Sequence, residues 1–270
     1  MRILKILILT ILLFSFSPFQ AFADKSDDTL VIAFSREITN LDYHYGTKTE
    51  YLILGDMIDD SLFYVENENL TYAPSLASDF NVVDDVTLDV NLRQGVKFHD
   101  GSEMTSDDVV YTYNFIVTND KNRRHKKLAS WLKSIEKTGK YSVRFNLNSP
   151  YANLFNDLYR IKIRKNGIMG TDGNWDDNAQ ATSLNGLGPY KVISFDPGVE
   201  VVLERNESYF GGPKGNPAIK NLIIRSIPDM GTQQAELMSG GIHWMYNVKK
   251  DVGEAMAVSY THLTLPTTGV

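Results

Sequence analysis

Side chains able to do acid–base, nucleophilic or metal chemistry are scattered through this sequence rather than assembled. The five histidines are His44, His99, His125, His243 and His262. None forms the i, i+4 pair of a helical zinc site. Each could ligate a metal or move a proton, but surface or structural placement fits such spacing better, and His99 is expected to hydrogen-bond locally. The acidic pairs Asp59-Asp60, Asp84-Asp85, Asp107-Asp108 and Asp176-Asp177 could be read as the two carboxylates of a glycosidase. Each instead falls at an expected turn or helix start, where Asp is favoured for backbone reasons. There is no Gly-x-Ser-x-Gly elbow and no phosphate loop. With no cysteine, thiolate nucleophiles, thiolate metal sites and disulfides are excluded together. The expectation is a chain that does no catalysis and carries no metal or cofactor.

Charge narrows the partners. The formal net charge is −6, whereas nucleic-acid binding needs a concentrated basic patch. The run Lys121–Lys127 holds five Lys or Arg and His125; it reads as a solvated helix end or loop.

The elements that must position any site follow from periodicity. Leu30–Phe34 is an unbroken apolar run, a first strand buried on both faces. A helix is expected around Leu52–Leu62. Val86, Leu88, Val90 and Leu92 alternate with polar residues, the mark of a half-buried antiparallel strand. Asp100-Gly101 is a turn, and Thr105-x-x-Asp108 a capping box opening a helix with Val109, Tyr113 and Ile116 on one face. Trp131 is expected at a helix end. Tyr141–Leu147 alternates again. Asn166–Asn185 is a long Gly-, Asn- and Asp-rich loop. Strands follow at 191–195, 200–204 and 219–227, then a helix over Met230–Met238 ended by Gly240-Gly241. Strands with interspersed helices give a mixed α/β (α+β) class.

The first residues read as a signal peptide. Arg2 and Lys5 precede the apolar run Ile6–Phe16, and Ala21-Phe22-Ala23 supplies a small-x-small cleavage site. The run is shorter than the ~20 residues that span a bilayer. A mature start near Asp24 would lose Arg2 and Lys5 and take the charge from −6 to −8. No lipid-accepting cysteine follows, so a free periplasmic protein is expected. From Val258 the sequence Val-Ser-Tyr-Thr-His-Leu-Thr-Leu-Pro-Thr-Thr reads as a translated transposase-type sequencing adapter.

The block Leu92-Arg93-Gln94-Gly95-Val96-Lys97-Phe98-His99-Asp100-Gly101, continuing Ser102-Glu103-Met104-Thr105-Ser106-Asp107-Asp108-Val109-Val110-Tyr111, resembles the signature of the family 5 extracellular solute-binding proteins. Asn40-Leu41-Asp42, Gly186-Leu187-Gly188-Pro189-Tyr190 and Asn206–Pro213 fall in that family's order of landmarks. Tyr43 stands where the family usually has Pro, and Leu187 where it has Thr. Gly241-Ile242-His243-Trp244 replaces its Gly-Glu-Ile-Asp.

The resemblance implies a periplasmic-binding-protein-like, two-lobe class II fold, with the first lobe and the start of the second present here. Residues 24–62 and 166–228 would form a discontinuous ligand-facing domain, 63–165 an inserted subdomain, 229–257 the start of the second lobe and 258–270 a non-native tail. It also implies a periplasmic monomer that captures oligo- or dipeptides, or another small molecule, and docks on the membrane permease of an ABC importer. The loop Tyr45–Tyr51 would face the cleft, making Thr47, Thr49, Glu50 and Tyr51 contact candidates, with Glu50 a partner for a ligand amine. Asn185 and Gly186 join them because glycine lets backbone amides approach a ligand. Plain loop architecture is the alternative for every one of these. A secreted hydrolase using a carboxylate pair, and a peptide-binding chaperone or chemoreceptor partner, remain rival functions.

Overall fold

The computed structural model describes residues 28–44, 49–66, 68–118, 123–168 and 184–246, with positions 248, 250, 252–254 and 256. Strand β1 (Thr29–Phe34) is the structural centre. Its side chains alternate between two cores. Ile32 and Phe34 pack with Leu54, Ile58, Leu203 and Leu222 on one face, and Val31 and Ala33 with Ile227, Ile242 and Met245 on the other. A strand covered on both faces has no polar side to show, hence the unbroken apolar run.

Around β1 lie β8 (Tyr190–Asp196), β9 (Glu200–Arg205), β10 (Asn221–Ser226) and β11 (Trp244–Met245), in the order β11-β1-β10-β9-β8. The pairs β1–β10 and β1–β11 are parallel, whereas β9 is antiparallel to both its neighbours. Helix α1 (Thr49–Ile58) buries Tyr51, Leu54 and Ile58, the i, i+3, i+7 stripe expected of a helix laid on a sheet. It begins three residues earlier than expected and stops before Asp59, so Asp59 to Leu62 lie beyond it.

Part of the segment expected to start the second lobe packs on this sheet. α5 (Met230–Ser239) and β11 cover the second face of β1. The helix stops where its sequence predicts, with Gly240 at φ 81° past the last turn, and at its start Asp229 Oδ1 accepts from the Thr232 N–H at 2.8 Å.

Residues between α1 and β8 build a second layer. A hairpin of β2 (Phe63–Val65) and β3 (Tyr72–Pro74) leads to β4 (Ala77–Asp84), β5 (Thr87–Leu92), β6 (Leu132–Gly139) and β7 (Ser142–Leu147). The last four form an antiparallel sheet, β4-β5-β7-β6. Leu88, Val90 and Leu92 of β5 and Val143, Phe145 and Leu147 of β7 face α2 (Ser106–Thr118), whose Val109, Tyr113 and Ile116 are fully buried. Tyr113 meets Phe145 edge to face at 4.9 Å. The capping box forms: Asp108 Oδ2 accepts from the Thr105 N–H at 2.7 Å. Helices α3 (Arg123–Leu128) and α4 (Leu154–Arg160) complete the layer. The basic run thus enters a helix, and Trp131 lies past its end, just before β6.

Candidate functional site

In an open sheet, ligands are bound outside the carboxyl ends of the parallel strands, where loops diverge and backbone groups are free. The chain leaves β1 at Phe34, β10 at Ser226 and β11 at Met245, all on one edge of the sheet. Three backbone bonds tie that edge together: Ile227 N–H to Phe34 O at 2.8 Å, Tyr246 N–H to Ala33 O at 3.2 Å and Gly198 N–H to Ile38 O at 2.8 Å. The first turn of α1 returns to it.

Of the expected contacts, Thr49 is exposed at the start of α1, while Glu50 and Tyr51 are buried just behind it. Thr47 lies outside the described residues. The Tyr51 hydroxyl accepts from the Thr39 N–H at 3.3 Å, which pins the outgoing loop to the helix. Glu50 faces Arg36 across 3.7 Å; the carboxylate is buried and the guanidinium is 61% exposed. Arg36 and Tyr246 were not singled out from sequence. Their signal is positional: each lies one or two residues beyond a parallel strand. Tyr246 packs edge to face on Phe34 with ring centroids 5.9 Å apart.

Asn185 and Gly186 are elsewhere. β8 is antiparallel to β9 and β9 to β10, so β8 runs the same way as β1, and Gly186–Pro189 arrive at the amino ends of the strands. Tyr190 Oη donating to Ile219 O at 2.9 Å, and Asn221 N–H to Asp28 O at 2.9 Å, mark that edge. α1 connects the two edges; the eight-step rise from Glu50 to Ile58 spans about 12 Å. The fold therefore does not bring the two groups of expected contacts together. The close approach that the glycines permit is to α1: a Cβ on Gly186 would lie 2.0 Å from Ile58 O, and one on Gly188 2.4 Å from Ile58 C.

His99 holds that loop, and its partners are distant in sequence rather than local. Its Nδ1 accepts from the Gly186 N–H at 3.2 Å, and its Nε2 donates to Gly188 O at 3.0 Å. Accepting at one nitrogen and donating at the other requires the neutral ring, and burial pushes the imidazole below its ordinary value. Asn185 Oδ1 accepts from the Asp100 N–H at 3.1 Å.

Between the two layers runs a cluster of buried charges. Arg164 is fully buried; its Nη2 donates to Asp42 Oδ1 at 2.9 Å and its Nη1 pairs with Asp59. Lys214 Nζ binds Asp60 Oδ1 at 2.9 Å and the Asp56 and Asp59 carbonyls, and Tyr209 Oη donates to Asp60 Oδ2 at 2.8 Å. Lys162 Nζ meets Asp56 Oδ1 at 2.5 Å. Asp59-Asp60 is thus structural, though not for the backbone reason expected; its carboxylates neutralise cations. Burial pushes the Asp59 carboxyl up in spite of Arg164. For Asp42, burial is outweighed by Arg164 and His44, and the group is held below its ordinary value. His44, fully buried with Nε2 on Lys162 O at 2.7 Å, is lowered to about 4 by burial and then by Arg164. Asp84-Asp85 sits at the β4–β5 turn and Asp107-Asp108 at the start of α2, as expected; Asp176-Asp177 is outside the described residues.

Two grooves flank Asp56. One of about 380 Å³ is lined by Tyr64, Val65, Tyr159 and Lys214, and one of about 310 Å³ by Tyr43, Leu52, Arg160 and Lys162 among others. Among the described residues, none of the expected contacts lines either. Among the described residues no three His, Asp or Glu side chains group to hold a metal, and no helix is long and apolar enough to cross a membrane.

The sequence profile of the bacterial extracellular solute-binding proteins, family 5 Middle, matches residues 71–258. The oligopeptide-binding protein AppA of Bacillus subtilis is 32% identical over 219 residues, 79% of this chain and 36% of AppA. The solved structure of that AppA in complex with a nonapeptide superposes with a TM-score of 0.71 at 30% identity, covering 79% of this chain and 43% of the other. NikA from Brucella suis, in complex with Fe(III)-EDTA, gives 0.70 at 25% identity, over 79% and 42% of the two chains. MoaA of A. tumefaciens, bound to mannopinic acid, gives 0.74 over 86% and 48% at 20% identity, a likeness of fold. This chain therefore spans less than half the length of each of these relatives.

Proposed function

The chain belongs to the bacterial extracellular solute-binding proteins, family 5, and from that premise we propose that it supplies one wall of a peptide-binding cleft in the receptor of an ABC importer. The observation that carries the reading is the edge built by the carboxyl ends of β1, β10 and β11. The loop leaving β1 carries the Arg36–Glu50 pair and is bonded to Tyr51 in the first turn of α1 after Thr49, and Tyr246 follows β11 and packs on Phe34. A peptide offers amides, carbonyls and two charged ends. An exposed guanidinium suits its carboxylate, a helix N-terminus its carbonyls, and aromatic rings its side chains. Glu50 acts through Arg36, setting the orientation of that guanidinium. Thr47 completes the contact loop, while Asn185 and Gly186 support α1 from the opposite edge.

The wider proposal is a monomeric periplasmic receptor, delivered by residues 1–23 and docking on a permease. The ligand-facing domain is 24–62 with 166–228, and 63–165 is the inserted layer. Capture would proceed by hinge closure of a second wall over the ligand. Isothermal titration of this chain with di- to nonapeptides tests the reading. Peptides should bind, and Thr49→Val should weaken them by about threefold to tenfold, the worth of one hydrogen bond. Failure of every peptide to bind, or turnover of peptides or glycosides, overturns it.

A further inference from the structure

The sequence contains two Asn-Gly pairs, Asn166-Gly167 and Asn185-Gly186, and the fold treats them in opposite ways. Asn is among the thermally labile residues. Ahead of Gly, the following backbone nitrogen is unshielded by a Cβ and the chain between the reacting atoms is free to turn. Reaction needs the Gly nitrogen to reach the Asn side-chain Cγ, so geometry decides which pair reacts.

Asn166 and Gly167 are both exposed, in a turn closed by the Ile168 N–H on Lys165 O at 3.2 Å. Gly167 has φ 81°, and a Cβ built on it would meet nothing within 4 Å. At Asn185-Gly186 every approach is blocked. The Gly186 nitrogen donates to His99, Asn185 Oδ1 is held by the Asp100 N–H, and the Gly186 backbone is jammed against Ile58 O.

We infer that Asn166 is a spontaneous modification site, converting to aspartate and isoaspartate while Asn185 is protected by the fold. The Gly167 nitrogen gives up its proton to solvent base and bonds to Asn166 Cγ. The Cγ–Nδ2 bond breaks, and ammonia leaves with a proton from solvent. Water then opens the succinimide ring. Cleavage of the Cγ–N bond gives aspartate; cleavage at the former backbone carbonyl gives isoaspartate. No oxidant or reductant is needed. The new carboxylate lies beside Asp108, whose Oδ1 accepts the Asn166 N–H at 2.9 Å, and next to the Lys165–Asp100 ion pair.

The test incubates the full chain at mildly alkaline pH, in buffer and in denaturing urea, and quantifies both pairs by peptide mapping. In buffer Asn166 should convert at least about tenfold faster than Asn185, a barrier difference of about 1.4 kcal/mol. In urea the ratio should collapse toward one, because the fold alone separates the two. A heavy-oxygen water arm should place one label in each product. Equal rates in buffer, faster conversion of Asn185, or a ratio that survives urea would each overturn the inference.

Discussion

Replacing Arg164 by Met puts the buried charge cluster under its most direct strain. Asp42, Asp59 and Arg164 have no solvent-exposed side-chain surface, so water cannot compensate a lost partner. Removing one member of a buried ion pair costs about 3–5 kcal/mol, mostly as the penalty of the charge left behind. Arg164 serves two carboxylates, so its loss should fall at the upper end near neutral pH. The pH dependence is the sharper signature. Without Arg164, burial raises the folded-state pKa of Asp42 or Asp59 above the unfolded value near 3.9. The native state then holds a proton that the unfolded state has released, and stability rises as pH falls. One such proton is worth about 1.4 kcal/mol per pH unit. The deficit of Arg164→Met against the parent should therefore shrink by about 2–3 kcal/mol between about pH 7.5 and 5.5. Asp59→Asn should be milder than Asp42→Asn, since burial already pushes Asp59 toward its neutral form while Arg164 and His44 hold Asp42 ionised. Urea unfolding followed by tryptophan fluorescence at several pH values measures all three. A deficit that is flat or grows on acidification, or an Asp59→Asn loss as large as that of Asp42→Asn, would refute the reasoning.

Two further outcomes are expected. His44 has a folded-state value of about 4 against an ordinary 6.5, so its contribution is complete above pH 6.5 and fades as pH falls toward 4; the parent should lose about 3 kcal/mol across that window, and His44→Gln should flatten the curve. Gly186→Ala would place its Cβ 2.0 Å from Ile58 O, overpacking that should cost at least about 2 kcal/mol in urea unfolding and disturb α1 from the end remote from Thr49.

What the residues disclose in advance depends on the range of the interaction. Alternation in β5 and β7, the α2 stripe Val109, Tyr113, Ile116, the capping box at Asp108 and the helix stop at Gly240 are short-range patterns, and each forms where its spacing predicts. In the four-stranded sheet the strands that went unread, β4 and β6, are its two edges. β4 buries only Ala77 at its start, so no alternation was imposed on Ser78–Asp84. Leu132 and Ile135 are the buried apolar residues of β6, too few for a period. The unread parts of the candidate site are of a different kind. Asp42 and Arg164 are 122 positions apart, and His99 and Gly186 are 87 apart; no local period can register such partners. The same reasoning separates the expected contacts. Thr49, Glu50 and Tyr51 are carried to the carboxyl edge by the direction of β1 and the return of α1. Asn185 and Gly186 are carried away from it by the reversal at β9. Strand direction, which the side chains of one strand do not encode, thus decides which polar loop can meet a ligand and which one braces the helix behind it.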